Sequence, residues 1–218
     1  MIYRYGLLKT MNELIIMVSF TLSGADGSGK TTLARLLATH FSRYGSTKIH
    51  WIRGSHFLAS ILLRILSHFQ TFQGMCNPYY KVCIPKKLKR IWIYVEFWSI
   101  VPYILLRLLL SKVYRFLVCD RGVIDFVVWI ITTLSYPSFL SSLYGRFLIM
   151  LALKENIIYL YADKYVLADR ADVSEKFVYR ELAVYDVLLK RIAKCSIDTG
   201  RYRPREAVAR VLKCLNVA

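Results

Sequence analysis

The sequence predicts an α/β fold in three layers, with a mostly parallel five-stranded sheet flanked by helices. Short apolar segments suited to buried strands alternate along the chain with longer segments of helical periodicity, which is the order of a parallel sheet. The length of 218 residues suits one such domain with a full core rather than two. The hydrophobic content of 56% fits either a large buried sheet or contact with lipid.

The first strand, loop and helix form one unit. Residues 14–22 (LIIMVSFTL) are apolar and branched enough for a buried parallel strand, and residues 32–41 (TLARLLATHF) carry leucines at helical spacing. Between them, residues 24–31 (GADGSGKT) fit the phosphate-binding pattern G-x-x-x-x-G-K-[ST]. Glycines let successive N–H groups turn towards a polyphosphate, Lys30 adds positive charge and Thr31 offers a hydroxyl to Mg²⁺. Together they predict a nucleoside-triphosphate site.

The second strand is predicted over residues 48–53 (KIHWIR). Arg53 ends it at the C-terminal edge of the sheet, where open α/β sheets bind ligands. We therefore expect Arg53 to bind an anion, with a surface salt bridge as the alternative. Residues 55–69 predict a strongly apolar helix with Ser55 as its N-cap, and residues 70–85 predict a loop.

A long apolar segment, residues 91–110, follows the basic run of residues 86–90 (KKLKR). Its length matches a membrane span. Glu96, Pro102 and Arg107 inside it argue against burial in lipid, because charges are costly there and proline interrupts helices. We interpret the segment as a helix that packs on the sheet with a kink at Pro102. An interfacial helix beside the basic run is the alternative.

The third strand, residues 114–119, ends directly before Asp120 and Arg121. An acid in this position lies near the phosphate loop, where it can hold Mg²⁺ through water. The arginine beside it can reach a transferring phosphate. Two further apolar helices are then predicted, over residues 123–134 and 144–153.

The last part of the chain is predicted to hold two strands, residues 156–162 and 195–198, and a terminal helix over residues 204–215. Between the two strands the composition becomes charged and helical. We interpret residues 163–180 as a helical lid arm, whose arginines fold over a nucleotide and stabilise phosphoryl charge. A solvated helix face with i,i+4 charge pairs is the alternative.

The net charge of +17 is extreme for this length. Phosphorylated ligands account for a few of these charges. The rest favour a polyanionic partner, either nucleic acid or an anionic membrane surface, with a generally basic surface as the alternative.

The cysteines and the first residues bear on the compartment. The five cysteines form no C-x-x-C pair and no zinc spacing, and their odd number without a secretory signal predicts reduced, mostly buried thiols in a cytoplasmic protein. Residues 1–13 lack the apolar core of a signal peptide, so we expect an N-terminal extension to a single domain over residues 14–218.

With these features in place, the chain resembles the thymidylate kinase family of P-loop kinases, as a divergent member. The resemblance covers residues 14–215: GADGSGKTT is similar to the family's loop, CDRG to its Asp-Arg motif, and the arm and closing segment CSIDTGRYRPREAVARVL have similar spacing. It implies a three-layer P-loop kinase fold, ATP and Mg²⁺ as cofactors, a homodimer through the apolar helices, and phosphoryl transfer to a nucleoside monophosphate. Conversion of dTMP to dTDP is the best single expectation.

The resemblance also implies individual roles. Asp26 approaches the sugar hydroxyl of the monophosphate, while Arg53 and Arg121 grip its phosphate. Asp120 lies beside Mg²⁺ and the reacting oxygens, and Arg170 in the lid arm covers the transferred phosphoryl group. The ATP phosphates are held by Gly24, Asp26, Gly27, Ser28, Gly29, Lys30, Thr31 and Thr32, with Thr31 on Mg²⁺. The catalytic set is thus Lys30, Asp120, Arg121 and Arg170.

Several residues depart from the family pattern. Ser23 replaces a usual Glu before the loop, Arg-Gly-Ser replaces an Arg-Pro or Arg-Glu-Pro turn, and Gly122 replaces an aromatic residue or His. The helix that reads the base usually carries Arg four residues after a stacking Phe. Here residues 92–101 offer Phe97 and Trp98 for stacking but no such Arg. Because a missing hydrogen-bond partner costs much discrimination, thymine specificity does not follow.

Two other functions remain open from the sequence. The apolar segment, the basic run and the charge fit a membrane-surface kinase that acts on a lipid or polyprenyl acceptor. The basic composition also fits a non-enzymatic, nucleotide-dependent nucleic-acid-binding module, although no recognised nucleic-acid motif occurs in the sequence.

Overall fold

The structure is a computed structural model that describes residues 17–52 and 54–216. The strands of this described part are β1 Val18–Ser23, β2 Thr47–Trp51, β3 Gln73–Asn77, β4 Phe116–Asp120, β5 Ile157–Tyr161 and β6 Cys195–Asp198. All except β3 pair in parallel in one sheet, in the order β2–β4–β1–β5–β6. Because β1 lies between β4 and β5, the ends of these three strands meet at one edge of the sheet.

Helices cover both faces of the sheet. They are α1 Lys30–Phe41, α2 Phe57–Leu66, α3 Lys89–Val113, α4 Val123–Leu134, α5 Leu143–Ala152, α6 Lys164–Arg170, α7 Glu175–Ile192 and α8 Pro204–Leu215. Apolar side chains of α1 and α8 pack on one face, and those of α2 to α5 and α7 form a larger core on the other. The predicted three-layer α/β fold is confirmed, and the sheet is entirely parallel.

The predicted and observed bounds of the elements agree best where glycine, proline or charged residues flank an apolar segment. The strand over residues 195–198 and the helices over residues 123–134 and 204–215 have the predicted limits. The first strand begins at Val18, and the predicted residues before position 17, including the extension over residues 1–13, lie outside the described residues.

The second helix is shorter than predicted, and Ser55 is not its cap. The helix begins at Phe57 after His56. The hydroxyl of Ser55 instead donates a hydrogen bond to the carboxyl group of Glu96 in α3. Because the buried carboxyl group of Glu96 needs a hydrogen-bond donor, the Ser55 hydroxyl binds it instead of capping α2.

The predicted loop over residues 70–85 contains a small hairpin. Gln73 and Asn77 of β3 bridge to Val82, and a disulfide joins Cys76 to Cys83.

A second disulfide joins Cys195 of β6 to Cys214 of α8, whereas Cys119 is a buried free thiol. The prediction of reduced thiols is thus wrong for four of the five cysteines. Sequence spacing could not reveal either pair, because the cysteines of each pair come close only once the hairpin has formed and α8 has packed beside β6.

The long apolar segment is the middle of α3, which continues through Pro102. Within the described residues it is the one helix, over residues 86–113, long and apolar enough to cross a membrane by length and composition. About a third of its most apolar stretch is buried inside the fold. One side of α3 packs on α2, α4 and β4 as predicted, and much of the rest is exposed.

Candidate active site

The glycine-rich loop lies between β1 and α1, at the edge of the sheet where β1 and β4 end. Gly27 and Gly29 have φ of 82° and 78°, a left-handed backbone that favours glycine. A side chain at Gly27 would also collide with the backbone carbonyl of Leu167 in α6. The loop therefore turns tightly into the N-terminus of α1, an arrangement that offers N–H groups and a helix dipole to an anion.

Lys30 is buried within this loop. Its Nζ donates to the Ala25 carbonyl oxygen at 2.6 Å and to Ser28 Oγ at 3.1 Å. Burial, with a further contribution from the charge of Arg121, lowers the pKa of Lys30 to about 8. Additional negative charge beside it would restore its pKa, so the site electrostatically favours an anion here.

Thr31 and Asp120 offer a set of oxygens suited to Mg²⁺. Thr31 Oγ1 donates to Asp120 Oδ2 at 2.7 Å, which joins the start of α1 to the end of β4. Asp120 Oδ1 is buried and has no hydrogen-bond partner within the described residues. Mg²⁺ prefers oxygen ligands and is often held by one or two carboxylates plus substrate phosphates. This pair fits such an ion, while the described residues contain no group of three or more His, Cys, Asp or Glu that could hold a metal ion by themselves.

Asp26 forms a buried ion pair with Arg121 beside the loop. Its carboxylate also accepts a hydrogen bond from the Tyr79 hydroxyl. Burial raises the pKa of Asp26, but the charges of Arg121 and Lys30 and these hydrogen bonds outweigh it and bring the pKa down to about 2. Burial lowers the pKa of Arg121 and the Asp26 charge raises it, with a net rise. The guanidinium is therefore fixed and fully charged where an acceptor phosphate is expected.

A second layer of acids holds this pair in place. Glu181 of α7 accepts the Asp26 backbone N–H at 3.0 Å, and its pKa is raised to about 7 by burial and then by the Asp26 charge. Asp125 of α4 accepts hydrogen bonds from Ser23 Oγ at 2.6 Å and from Tyr185 Oη at 2.7 Å. Ser23, noted above as a departure from the family pattern, thus holds a carboxylate of the neighbouring helix.

Arg170 ends α6 and borders cavities on both sides of the loop. Its Nη1 donates to the Thr199 carbonyl oxygen at 3.1 Å. One cavity of about 380 Å³ lies over Gly29 and Thr32, and another of about 230 Å³ lies over Thr31 and Arg121. A single arginine is thus positioned between the two spaces that flank the phosphate loop.

A third cavity, of about 510 Å³, lies beyond Tyr79. Its lining residues are Gly54, Ser55, Arg64, Ser67, Tyr79, Tyr80 and Trp129. Because Tyr79 borders both this cavity and the 230 Å³ one, the two spaces adjoin. An acceptor with its phosphate at Arg121 has room here for an aromatic or polar group.

The structure brings together most of the predicted site residues, but not all. Phe97 contacts the rings of Tyr144 and Phe147 on the side towards α5, and Trp98 is 63% exposed. Neither lines the three cavities described above, and the stacking role stays a prediction from the sequence that this arrangement does not support. Arg53 lies outside the described residues.

Three residues at the site were missed by sequence reasoning: Tyr79, Trp129 and Glu181. Tyr79 lies in a segment predicted as a loop, and Trp129 lies in a helix predicted only as an apolar stretch. Glu181 lies one residue beyond the predicted arm, among charged residues for which a solvated helix face was the alternative. The Asn-Pro-Tyr-Tyr turn in the loop was the one signal that could have indicated a ligand-facing aromatic residue.

Comparisons with known proteins give little beyond this geometry. No family model and no curated protein matches the sequence. Among solved structures, a shikimate kinase from Acinetobacter baumannii in complex with shikimate is similar at a TM-score of 0.49, with 14% identity, covering 92% of this chain and 93% of that one. At this level of likeness, neither activity nor substrate is carried over to this chain.

Proposed function

We propose that this chain is an ATP- and Mg²⁺-dependent kinase that transfers a phosphoryl group to a nucleoside monophosphate. One observation supports it most: an Arg121–Asp26 pair adjoins the phosphate loop, with Arg170 bordering the same cavity. A loop alone would suit any triphosphatase. A fixed guanidinium that contacts the loop and lines the same cavity suits a second phosphate.

The protein's part in such a reaction is positioning and charge stabilisation. The loop N–H groups and Lys30 bind the ATP phosphates. Thr31 and Asp120 hold Mg²⁺, which when bound neutralises charge on the phosphate oxygens. Arg121, oriented by Asp26, binds the acceptor phosphate, and Arg170 stabilises the charge of the group in transfer.

The acceptor is proposed from the 510 Å³ cavity and the family resemblance. Tyr79, Tyr80 and Trp129 present aromatic surface there, while Arg64 and Ser55 present polar groups. A nucleobase would stack on the first set and hydrogen bond to the second. We expect dTMP to be accepted without strong discrimination against other monophosphates, because the arginine usual in the family is absent.

A substrate panel tests the proposal. Purified protein with ATP and Mg²⁺ is offered nucleoside monophosphates, with a polyprenyl phosphate as the alternative acceptor, and diphosphate products are measured. Lys30→Ala is expected to lower kcat/KM by about a hundredfold or more. Lys48→Ala, at an exposed lysine of β2, is the matched control and should retain activity. No turnover of any monophosphate would overturn the acceptor class, and a fully active Lys30→Ala would overturn the site.

A further inference from the structure

Helix α3 buries charged and polar side chains among apolar ones, while its exposed side is largely apolar. The side chains that face the fold include Glu96, Ser99 and Arg107, all buried. The opposite side is an uninterrupted apolar row, here named the α3 stripe: Ile91, Tyr94, Trp98, Pro102, Leu105, Leu109 and Val113. These positions recur every three or four residues and so lie on one face of the helix. At a rise of about 1.5 Å per residue, the stripe from Ile91 to Val113 is about 33 Å long.

The stripe is strongly exposed. Pro102 is exposed, and the exposed fractions of the other six residues run from 49% for Tyr94 to 69% for Val113. Neighbouring helices carry further exposed apolar side chains, including Phe57 and Ile61 of α2 and Met150 of α5. Scattered apolar residues are ordinary on protein surfaces, but a contiguous row of this length indicates contact with an apolar partner.

The inward charges tie α3 to the fold along its length. Glu96 accepts a hydrogen bond from Ser55, which precedes α2, and a second one at 3.0 Å from Trp92 Nε1 within α3 itself. Arg107 forms an ion pair with Glu155 at 2.8 Å. A helix held in this way cannot cross a bilayer without exposing both charges to lipid. The helix can instead lie along a membrane surface, with the stripe facing the lipid.

The charge around the stripe has one sign. Lys86, Lys87 and Arg90 are exposed at its N-terminal end and Lys112 at its C-terminal end. Between Gly27 and Cys119 the sequence has a single acidic residue, the buried Glu96. A second copy seated on this stripe would bring like charges together without an exposed acid from this stretch to pair with them.

We propose that the α3 stripe docks on an anionic lipid bilayer, with α3 parallel to the membrane plane. The apolar row enters the boundary between headgroups and acyl chains, and the lysines at both ends contact lipid phosphates. A bilayer supplies both chemistries that the surface requires. The proposal concerns location and does not depend on the kinase assignment.

Vesicle co-sedimentation of the full chain tests the proposal. Vesicles of phosphatidylcholine with about one third phosphatidylglycerol are expected to bind the protein at least about tenfold more tightly than phosphatidylcholine alone, and added salt should weaken that binding. The double variant Leu105→Gln with Leu109→Gln is expected to bind the anionic vesicles at least about tenfold more weakly than the parent. A matched pair at exposed apolar sites on other helices, Leu36→Gln with Val187→Gln, should bind like the parent.

Two measurements distinguish binding of the stripe to a bilayer from its binding to a second copy of this chain. Light scattering gives the mass of the lipid-free protein. Brominated lipid in the anionic vesicles should quench tryptophan fluorescence, and the part of the quenching that a Trp98→Phe variant loses is assigned to Trp98. Bound vesicles with quenched Trp98 support the proposal. A lipid-free dimer that the Leu105/Leu109 variant converts to monomer, without vesicle binding by the parent, would overturn it. Equal binding by parent and stripe variant would overturn it as well.

Discussion

Asp26 is the residue at which most contacts of the candidate site meet. Its carboxylate accepts from Arg121 and Tyr79, and its backbone N–H is held by Glu181. One residue therefore joins the phosphate loop to the end of β4 and to the hairpin through its side chain, and to α7 through its backbone. The family resemblance implied that Asp26 and Arg121 both serve the acceptor. It could not show that they pair with each other.

Removal of the Asp26 charge should uncouple this arrangement. Asp26→Asn leaves Arg121 buried without its partner, so we expect a loss of about 3 kcal/mol in unfolding free energy. We also expect a fall in kcat/KM of at least about a hundredfold, because the guanidinium is no longer oriented. Denaturant unfolding and the kinase assay measure the two effects. Asp169→Asn, at an exposed acid of α6, is the control and should change neither.

Glu181 should make stability depend on pH near neutrality. Its folded pKa of about 7 lies above the usual 4.5, so the folded state favours the protonated acid. Its contribution to stability is therefore present below about pH 4.5 and is lost as the pH rises through 7. Glu181→Gln should become more stable than the parent as the pH rises, by about 2 kcal/mol above pH 7.

The measurement is unfolding free energy from pH 4.5 to 8 for both proteins. Glu175→Gln, exposed in the first turn of α7, is expected to track the parent across that range. A Glu181→Gln difference that does not change with pH would show that the acid is ionised throughout.

At the scale of elements, the hairpin carrying β3 shows where sequence reasoning stopped. Residues 70–85 have no helical or strand periodicity, so a loop was the reasonable prediction. The fold nevertheless places Tyr79 of this segment against Asp26, with the Cys76–Cys83 disulfide closing the hairpin. Helix α3 gave the opposite difficulty. It is apolar on nearly every side, so its composition could not tell which aromatic residues face a ligand.

The hairpin disulfide should affect acceptor binding more than stability. Cys76→Ser with Cys83→Ser, or treatment with a dithiol, frees the segment that positions Tyr79. We expect KM for the acceptor monophosphate to rise severalfold, while KM for ATP stays unchanged. Removal of Cys195–Cys214 is the comparison: it closes a longer loop away from the cavity, so it should cost about 3 kcal/mol of stability without changing either KM. Equal KM effects from both pairs would contradict this assignment.

For the whole molecule, the parallel sheet and its two covering layers follow from the order and burial of the segments. The same order brings the loop after β1 beside Asp120, which is why this part of the site could be predicted. The burial of Glu96 and Arg107, on a helix whose exposed side is apolar, could not be predicted, because periodicity does not say which side of a helix faces the core. Composition suggested an anionic partner, and the position of the charges around α3 indicates where it would bind.

Ligand binding should be visible in the stability of the whole chain. ATP with Mg²⁺ at a hundred times its Kd should raise the unfolding free energy by about 2.7 kcal/mol. For Asp120→Asn, we expect ATP to stabilise the protein, but with most of the additional Mg²⁺-dependent gain lost. Thermal unfolding with ATP, with ATP and Mg²⁺, and with ATP and a chelator separates these terms. A Mg²⁺-dependent gain as large in Asp120→Asn as in the parent would place the ion elsewhere.

The close approach of Gly27 to the Leu167 carbonyl has a mechanical consequence. The contact sets the phosphate loop directly beneath α6, and Arg170 lies three residues further along that helix. A methyl group at position 27 would collide with Leu167 and displace α6, together with Arg170 at its end. The loop and α6 are therefore in direct contact, and we expect a displacement of the loop by a nucleotide to move α6 and Arg170 at its end.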